Sequence, residues 1–258
     1  MLIDTHAHLD VEDFDKDRDL VVKRAVDVGL VNILTVGVDI DSSQKALDIA
    51  RQYDPVYAAV GCHPHNAKQC GDNDLKKMAD MVSDDRIVAW GEIGLDFYRL
   101  RSDPEIQISL FREQVQLAYD LNLPVIIHDR EAHDEVFDVL KKMGKGKNRG
   151  VIHCFSGDVD FAESLIDIGF FISIPGTVTY KKALRIRRVA RTIPLEYMLF
   201  ETDSPFLTPV PNRGKRNEPS FVRFTAMETA SLREMDFDEL CRITTENATR
   251  LFGMGGKS

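Results

Sequence analysis

Residues 2–10 read Leu2-Ile3-Asp4-Thr5-His6-Ala7-His8-Leu9-Asp10, and the reading of this stretch decides the fold. It suits a short strand. Alternate side chains of a strand share a face, so His6 and His8 point the same way, together with Asp4. Two imidazoles on one face can grip a metal ion, or they can be half-buried polar groups at a frayed terminus. His-x-His alone does not separate the two. The rest of the chain does, because further apolar runs follow and most of them end in a histidine or a carboxylate.

In chain order the expected strands cover 31–38, 55–61, 87–93, 123–128, 150–155, 170–174 and 197–203. Helical patterns lie between them. One runs from Lys16 to Val28 with Gly29 as its C-terminal cap, and one runs to Arg51 with Ser42 as N-cap. Others span Asp74 to Val82 and a long segment opened by Pro104. Further helices run from Ala132 to Met143, stopped at Gly144, from Asp160 to Ile168, and from Lys182 to Ile193. Asp236-Phe237-Asp238-Glu239 has capping-box spacing before a closing helix that ends near Gly253. Continuous apolar strands alternating with helices suit a parallel sheet covered on both faces. Eight βα units in 258 residues fit one (β/α)8 TIM barrel spanning residues 1–258, rather than a doubly wound sheet. No linker or low-complexity tract interrupts the chain, and 205–219 is the longest irregular stretch, expected to be a functional loop.

Composition is that of an ordinary globular protein, with 43% hydrophobic and 29% charged residues. No apolar run approaches the roughly 18–20 residues of a membrane helix, and Asp4, His6 and His8 break up any apolar signal core. A cytoplasmic protein is expected, with no membrane contact and no obligate protein partner. The net charge of −9 argues against a broad basic surface for coating duplex DNA. Cys62, Cys70, Cys154 and Cys241 form no CxxC pair and suggest reduced thiols.

The barrel reading brings the strand ends together at one carboxyl-terminal mouth. His6 and His8 stand on the first strand and His63 after the third. Glu92, His128 and His153 end the fourth, fifth and sixth, and Glu201 and Asp203 end the eighth. Taken singly, Glu92 could be a buried ion-pair partner, His128 and His153 core histidines, Asp203 a turn cap, and His63 either a substrate contact or packing. His133 falls in a helix, where a solvated or capping role is expected. Together, four histidines and two carboxylates can hold two divalent ions. Imidazole plus carboxylate suits Zn, Mn, Co or Fe, and more oxygen suits Mg. A carboxylate touching both ions would bring them within roughly 3.5–4 Å.

These stretches resemble the TatD family of metal-dependent deoxyribonucleases, within the amidohydrolase-like metal hydrolases. The resemblance rests on Asp4-Thr5-His6-Ala7-His8, Val60-Gly61-Cys62-His63-Pro64, Gly91-Glu92-Ile93-Gly94-Leu95-Asp96, His128-Asp129-Arg130, His153-Cys154-Phe155-Ser156-Gly157 and Glu201-Thr202-Asp203-Ser204-Pro205, with 213–219 following. It implies a TIM barrel, a two-metal site and hydrolysis of DNA. Position by position, it implies one ion on His6, His8, Glu92 and Asp203, and a second on the bridging Glu92 with His128 and His153. Glu201 is a possible extra ligand or supporting group.

The chemistry expected of such a site is phosphodiester hydrolysis by metal-activated water, with Zn, Mn or Mg as the ions. Asp203 is the candidate general base, alongside the bridging Glu92. His63 could bind a phosphate oxygen or assist the leaving group. Arg213 could clamp a phosphate, Arg130 less directly, and Asp4 could orient a histidine. DNA is the expected partner, as single strands or frayed ends cut exonucleolytically. The basic segment Lys181, Lys182, Arg185, Arg187, Arg188 and Arg191 reads as a solvated outer helix rather than a nucleic-acid track. Two other classes fit the same residues: a small-molecule amidohydrolase, lactonase or phosphotriesterase, and a non-catalytic metal-binding scaffold.

Overall fold

A computed structural model describes residues 1–142 and 149–254. Eight parallel strands follow one another in sequence order: β1 (Leu2–Ala7), β2 (Leu30–Val36), β3 (Val56–Val60), β4 (Ile87–Asp96), β5 (Val125–Arg130), β6 (Gly150–Ile152), β7 (Phe170–Ile174) and β8 (Met198–Phe200). The helices are α1 (Arg18–Asp27), α2 (Ile40–Gln52), α3 (Asp72–Met81), α4 (Pro104–Asp120), α5 (His133–Lys142), α6 (Val159–Asp167), α7 (Leu184–Thr192), α8 (Val222–Arg233) and α9 (Phe237–Phe252). This is the TIM barrel expected from the alternation. The ring closes between β1 and the segment after β8. His8 N–H donates to Ser204 O (2.8 Å), and Asp203 N–H donates to His6 O (2.9 Å).

Two apolar layers hold the barrel. The larger lies between strands and helices and includes Phe14, Trp90, Phe111, Phe170 and Phe200. The smaller fills the barrel interior with Ile3, Leu34, Ala59, Ile126, Val151, Phe171 and Leu199. Ala248, Leu251 and Phe252 of α9 belong to this inner layer. Asn247 ties α9 to the start of β8 by donating to Leu195 O (2.7 Å) and Met198 O (3.0 Å). The helix therefore plugs the end of the barrel opposite the mouth, which leaves polar side chains to line the other end.

The sequence reading needs several corrections at boundaries. Asp39, not Ser42, is the N-cap of α2: Asp39 Oδ1 accepts from Ser42 N–H (2.8 Å) while Ser42 Oγ accepts from Asp39 N–H (2.9 Å). β6 and β8 stop short of their expected ends, because Cys154 (φ 45°) and Asp203 (φ 54°) adopt left-handed backbone that leaves the strand direction. α7 begins at Leu184 rather than Lys182. The sequence reading assigned no element to α8, whose N-cap Phe221 offers no side-chain cap. The expected stop of α5 at Met143 and Gly144 lies outside the described residues. Among the described residues, no helix is long and apolar enough to cross a membrane.

Candidate metal centre

β1 brings two imidazoles to the mouth side by side. His6 Nε2 and His8 Nε2 lie 3.3 Å apart. A register slip between Asp4 and Ala7 interrupts the simple alternation of β1. Asp4 meets the backbone of His6, not its ring: Asp4 Oδ1 accepts His6 N–H (3.3 Å). Its carboxylate accepts Thr202 N–H (2.9 Å) and Thr202 Oγ–H (2.6 Å), fastening β1 to the end of β8. Burial raises the Asp4 carboxyl to about 8 against the lowering effect of those bonds.

Glu92 stands at the centre. It is almost fully buried on β4, and histidines approach both of its oxygens. Oε2 lies 3.5 Å from His6 Nε2 and 3.7 Å from His8 Nε2. Oε1 lies 2.8 Å from His128 Nδ1, 2.8 Å from His153 Nε2 and 3.4 Å from His63 Nε2. Burial alone would raise this carboxyl. The charge of His153, with hydrogen bonds from His128 and His153, outweighs it and holds Glu92 well below the ordinary value. Asp203 Oδ1 adds a carboxylate 3.4 Å from His8 Nε2 and 4.0 Å from His6 Nε2. Burial opposes its ionisation, but the bond to His8 and the charges of His153, His8 and His6 lower its pKa.

The hydrogen bonds at the outer ring nitrogens sort these histidines by what the inner nitrogen can do. His8 Nδ1 faces Val36 O at 3.0 Å and so carries a proton, which leaves Nε2 as the nitrogen turned towards Glu92 and Asp203; those two carboxylates outweigh burial and raise the ring to about 9. His63 is the reverse. Its Nδ1 accepts His65 N–H (3.0 Å), so Nε2 carries the proton and is a donor. Burial lowers His63 to about 4, which keeps it neutral. His63, Glu92 and His128 lie close enough to hold an ion, yet the His63 tautomer favours donation over ligation. His128 is bracketed by carboxylates, with Nε2 3.2 Å from Asp96 Oδ2.

Asp96 and His65 had no role in the sequence reading. Asp96 Oδ2 also takes His65 Nε2 (2.9 Å), and its backbone N–H is held by Gln107 Oε1 (2.9 Å). Asp96 lies two pleats beyond Glu92 on β4, as His65 follows His63 by two residues. That period was the available signal. Glu201 lies behind the centre: Oε1 accepts Cys154 N–H (2.6 Å) and is 3.6 Å from His153 Nδ1. His133, expected in a solvated or capping role, opens α5 half-buried, with its Nδ1 paired to Asp129 Oδ2 at 2.7 Å. Arg213 is not among the side chains gathered on Glu92; its guanidinium lies over Tyr180, 4.5 Å from the ring centroid.

Divalent cations fit this arrangement. His6, His8 and Asp203 form one group with ligand atoms in mutual reach, and His6, His153 and Glu201 form another. Among the described residues, His6 Nδ1, His153 Nδ1 and Glu201 Oε2 are buried without a hydrogen-bond partner, which is unusual for polar atoms in a packed interior. Imidazole nitrogen with carboxylate oxygen suits Zn, Mn, Co or Fe. Burial, then the charges of Asp203, Glu201 and Glu92, raise the Cys154 thiol well above its ordinary value.

A family model described as TatD related DNase matches residues 3–253. A Bacillus subtilis protein named uncharacterized metal-dependent hydrolase YabD is 43% identical over 252 residues, covering 98% of this chain and 99% of its own. The Erwinia tasmaniensis protein named 3'-5' ssDNA/RNA exonuclease TatD is 37% identical over 259 residues, covering 98% of this chain and 100% of its own. The crystal structure of YjjV, a TatD homolog from Escherichia coli K12, superposes with a TM-score of 0.93 at 32% identity and covers 98% of each chain. The chain belongs to the TatD-related DNase family of metal-dependent hydrolases.

Proposed function

We propose that this hydrolase cleaves phosphodiester bonds at the ends of single-stranded DNA. In this reading His6, His8, Glu92 and Asp203 hold one divalent ion, and Glu92, His128 and His153 hold a second. The observation that carries it is the division of Glu92, whose Oε2 faces His6 and His8 while Oε1 faces His128 and His153. A carboxylate so divided suits a bridge between two cation sites. Ions bound there would lower the pKa of water towards neutrality and offset charge on the scissile phosphate.

The chain's own residues do the rest. Asp203 is ionised at neutral pH and accepts the proton of the attacking water. His63, neutral with its proton on Nε2, donates to a phosphate oxygen or to the leaving oxygen. Asp96 and Glu201 steady His128 and His153 from behind. The net charge of −9 disfavours a wrapped duplex and leaves an entering strand end as the substrate. The name of the Erwinia tasmaniensis relative, a 3'-5' ssDNA/RNA exonuclease, supports this substrate class.

The test is a digestion of end-labelled single-stranded DNA over a titration of Mn, Mg and Zn. A ladder shortening by one nucleotide is expected. Asp203→Asn should lose about 10²–10⁴-fold in kcat with its circular dichroism unchanged. Elemental analysis should find two ions per chain, and one after replacing His6 and His8 together. Absence of metal-dependent cleavage of both DNA and a small phosphodiester would refute the proposal.

A further inference from the structure

Two aromatic side chains stand exposed at the mouth, and the packing of the barrel does not account for them. Tyr98 follows β4 and Phe206 follows β8, and each is 56% exposed. Both are pinned through their backbones to residues of the centre. Tyr98 N–H donates to Asp96 Oδ1 (3.0 Å), the carboxylate that also meets His128. Phe206 N–H donates to Asp203 O (2.8 Å). The backbone carrying each ring is thus tied to residues of the centre, while the ring itself stays exposed. β4 and β8 lie half a turn apart in a ring of eight ordered strands, so the two rings rise on opposite sides of the mouth.

The surroundings of each ring point to one kind of ligand. Phe206 approaches His8 edge-on, with ring centroids 6.2 Å apart, and stands directly beside the metal centre. Tyr98 is covered on one face by Arg130, whose guanidinium carbon is 4.1 Å from the ring centroid. Arg130 is itself exposed and keeps N–H groups for an anion. A large aromatic ring left in water forgoes the stabilisation of burial. Flat apolar faces beside an arginine, flanking a centre that handles phosphate, match the alternating bases and phosphates of an unpaired strand.

We propose that Phe206 and Tyr98 are stacking platforms for unpaired bases on either side of the scissile bond, so that a single strand crosses the mouth from the β8 segment to the β4 segment. This rests on the nuclease reading above. Arg130 then meets a phosphate on the Tyr98 side. Stacking uses the π-face that every base has, so the platforms select unpaired over paired strands with little sequence preference. A duplex interior offers no free base faces.

The experiment compares three substrates under saturating Mn: a labelled single-stranded oligonucleotide, the same strand abasic at its two terminal positions, and methyl p-nitrophenyl phosphate. The wild type should favour the intact over the abasic strand by about tenfold or more in kcat/KM. Phe206→Ala and Tyr98→Ala should each lose about tenfold on the intact strand, chiefly through KM, and much less on the abasic one. Phe206→Trp and Tyr98→Phe should retain the preference. A wild type that cleaves intact and abasic strands equally, or alanine variants that lose the same factor on both, would overturn the platforms and leave the nuclease reading standing. Turnover of the small diester with no cleavage of either strand would overturn both.

Discussion

His133 Nδ1 lies 2.7 Å from Asp129 Oδ2, and its ring stacks on Phe161 with centroids 4.7 Å apart. The hydrogen bond to Asp129 raises the imidazole above its ordinary 6.5 by more than partial burial lowers it. The folded chain therefore holds this proton more tightly than the unfolded chain. The resulting stability is fully present below pH 6.5 and is lost as pH rises through the higher folded value. His133→Gln should cost about 0.5–1 kcal/mol at pH 6 and less at pH 9, read from urea unfolding at each pH. An equal cost at both would contradict the assignment. At this scale the convergence of His6, His8, Glu92, His128, His153 and Asp203 on one mouth was legible, because each stands at or near the end of an expected strand. Their tautomers were not. The proton on His63 Nε2 is set by His65 N–H, and that bond depends on a turn geometry no residue pattern records. Asp4 was misread because one slip in β1 redirects its carboxylate to Thr202.

β4 is the longest strand, and it tolerates little change where it meets β5. Gly94 has φ +141°, and a Cβ built there would stand 2.0 Å from His128 O. Gly94→Ala must displace the backbone that carries His128, so it should cost more than about 2 kcal/mol and reduce turnover as well. Chemical denaturation with a parallel rate measurement checks both effects, and an alanine variant with native stability would contradict the close approach. α9 makes a different claim. Phe252 lies in the inner layer at the closed end, far from the mouth, and is only 4% exposed. Phe252→Ala should destabilise by about 3–5 kcal/mol while leaving KM unchanged in the fraction that remains folded. The existence of α9 was legible from its capping spacing. Its role as a plug was not, since an amphipathic stripe does not say which cavity it fills. α8 escaped because it lacks a capping side chain, the strongest local mark of a helix start.

Among the described residues, the groups that could hold a cation share one cluster at the barrel mouth. A cation bound to the folded chain alone adds about 2.7 kcal/mol at a hundred times its dissociation constant. For a chain of this size that corresponds to a melting shift of roughly 5–10 °C. Chelation should lower the melting temperature by about that much and abolish turnover, and added Mn or Zn should restore both; a melting point indifferent to chelator would argue against ions in the cluster. The barrel itself was legible because eight apolar runs alternate with helical patterns, whereas its closure depends on bonds between the first strand and the end of the last that no residue pattern records. His6 and His8 meet Asp203 only through that seam. A chain emerging from the ribosome exposes both histidines almost at once, but Thr202, Asp203 and Ser204 follow only after seven further strands have been made. On the ligand set proposed above, hydrolytic competence is deferred to nearly the end of synthesis, because a nascent polypeptide lacking the last strand holds only part of that set.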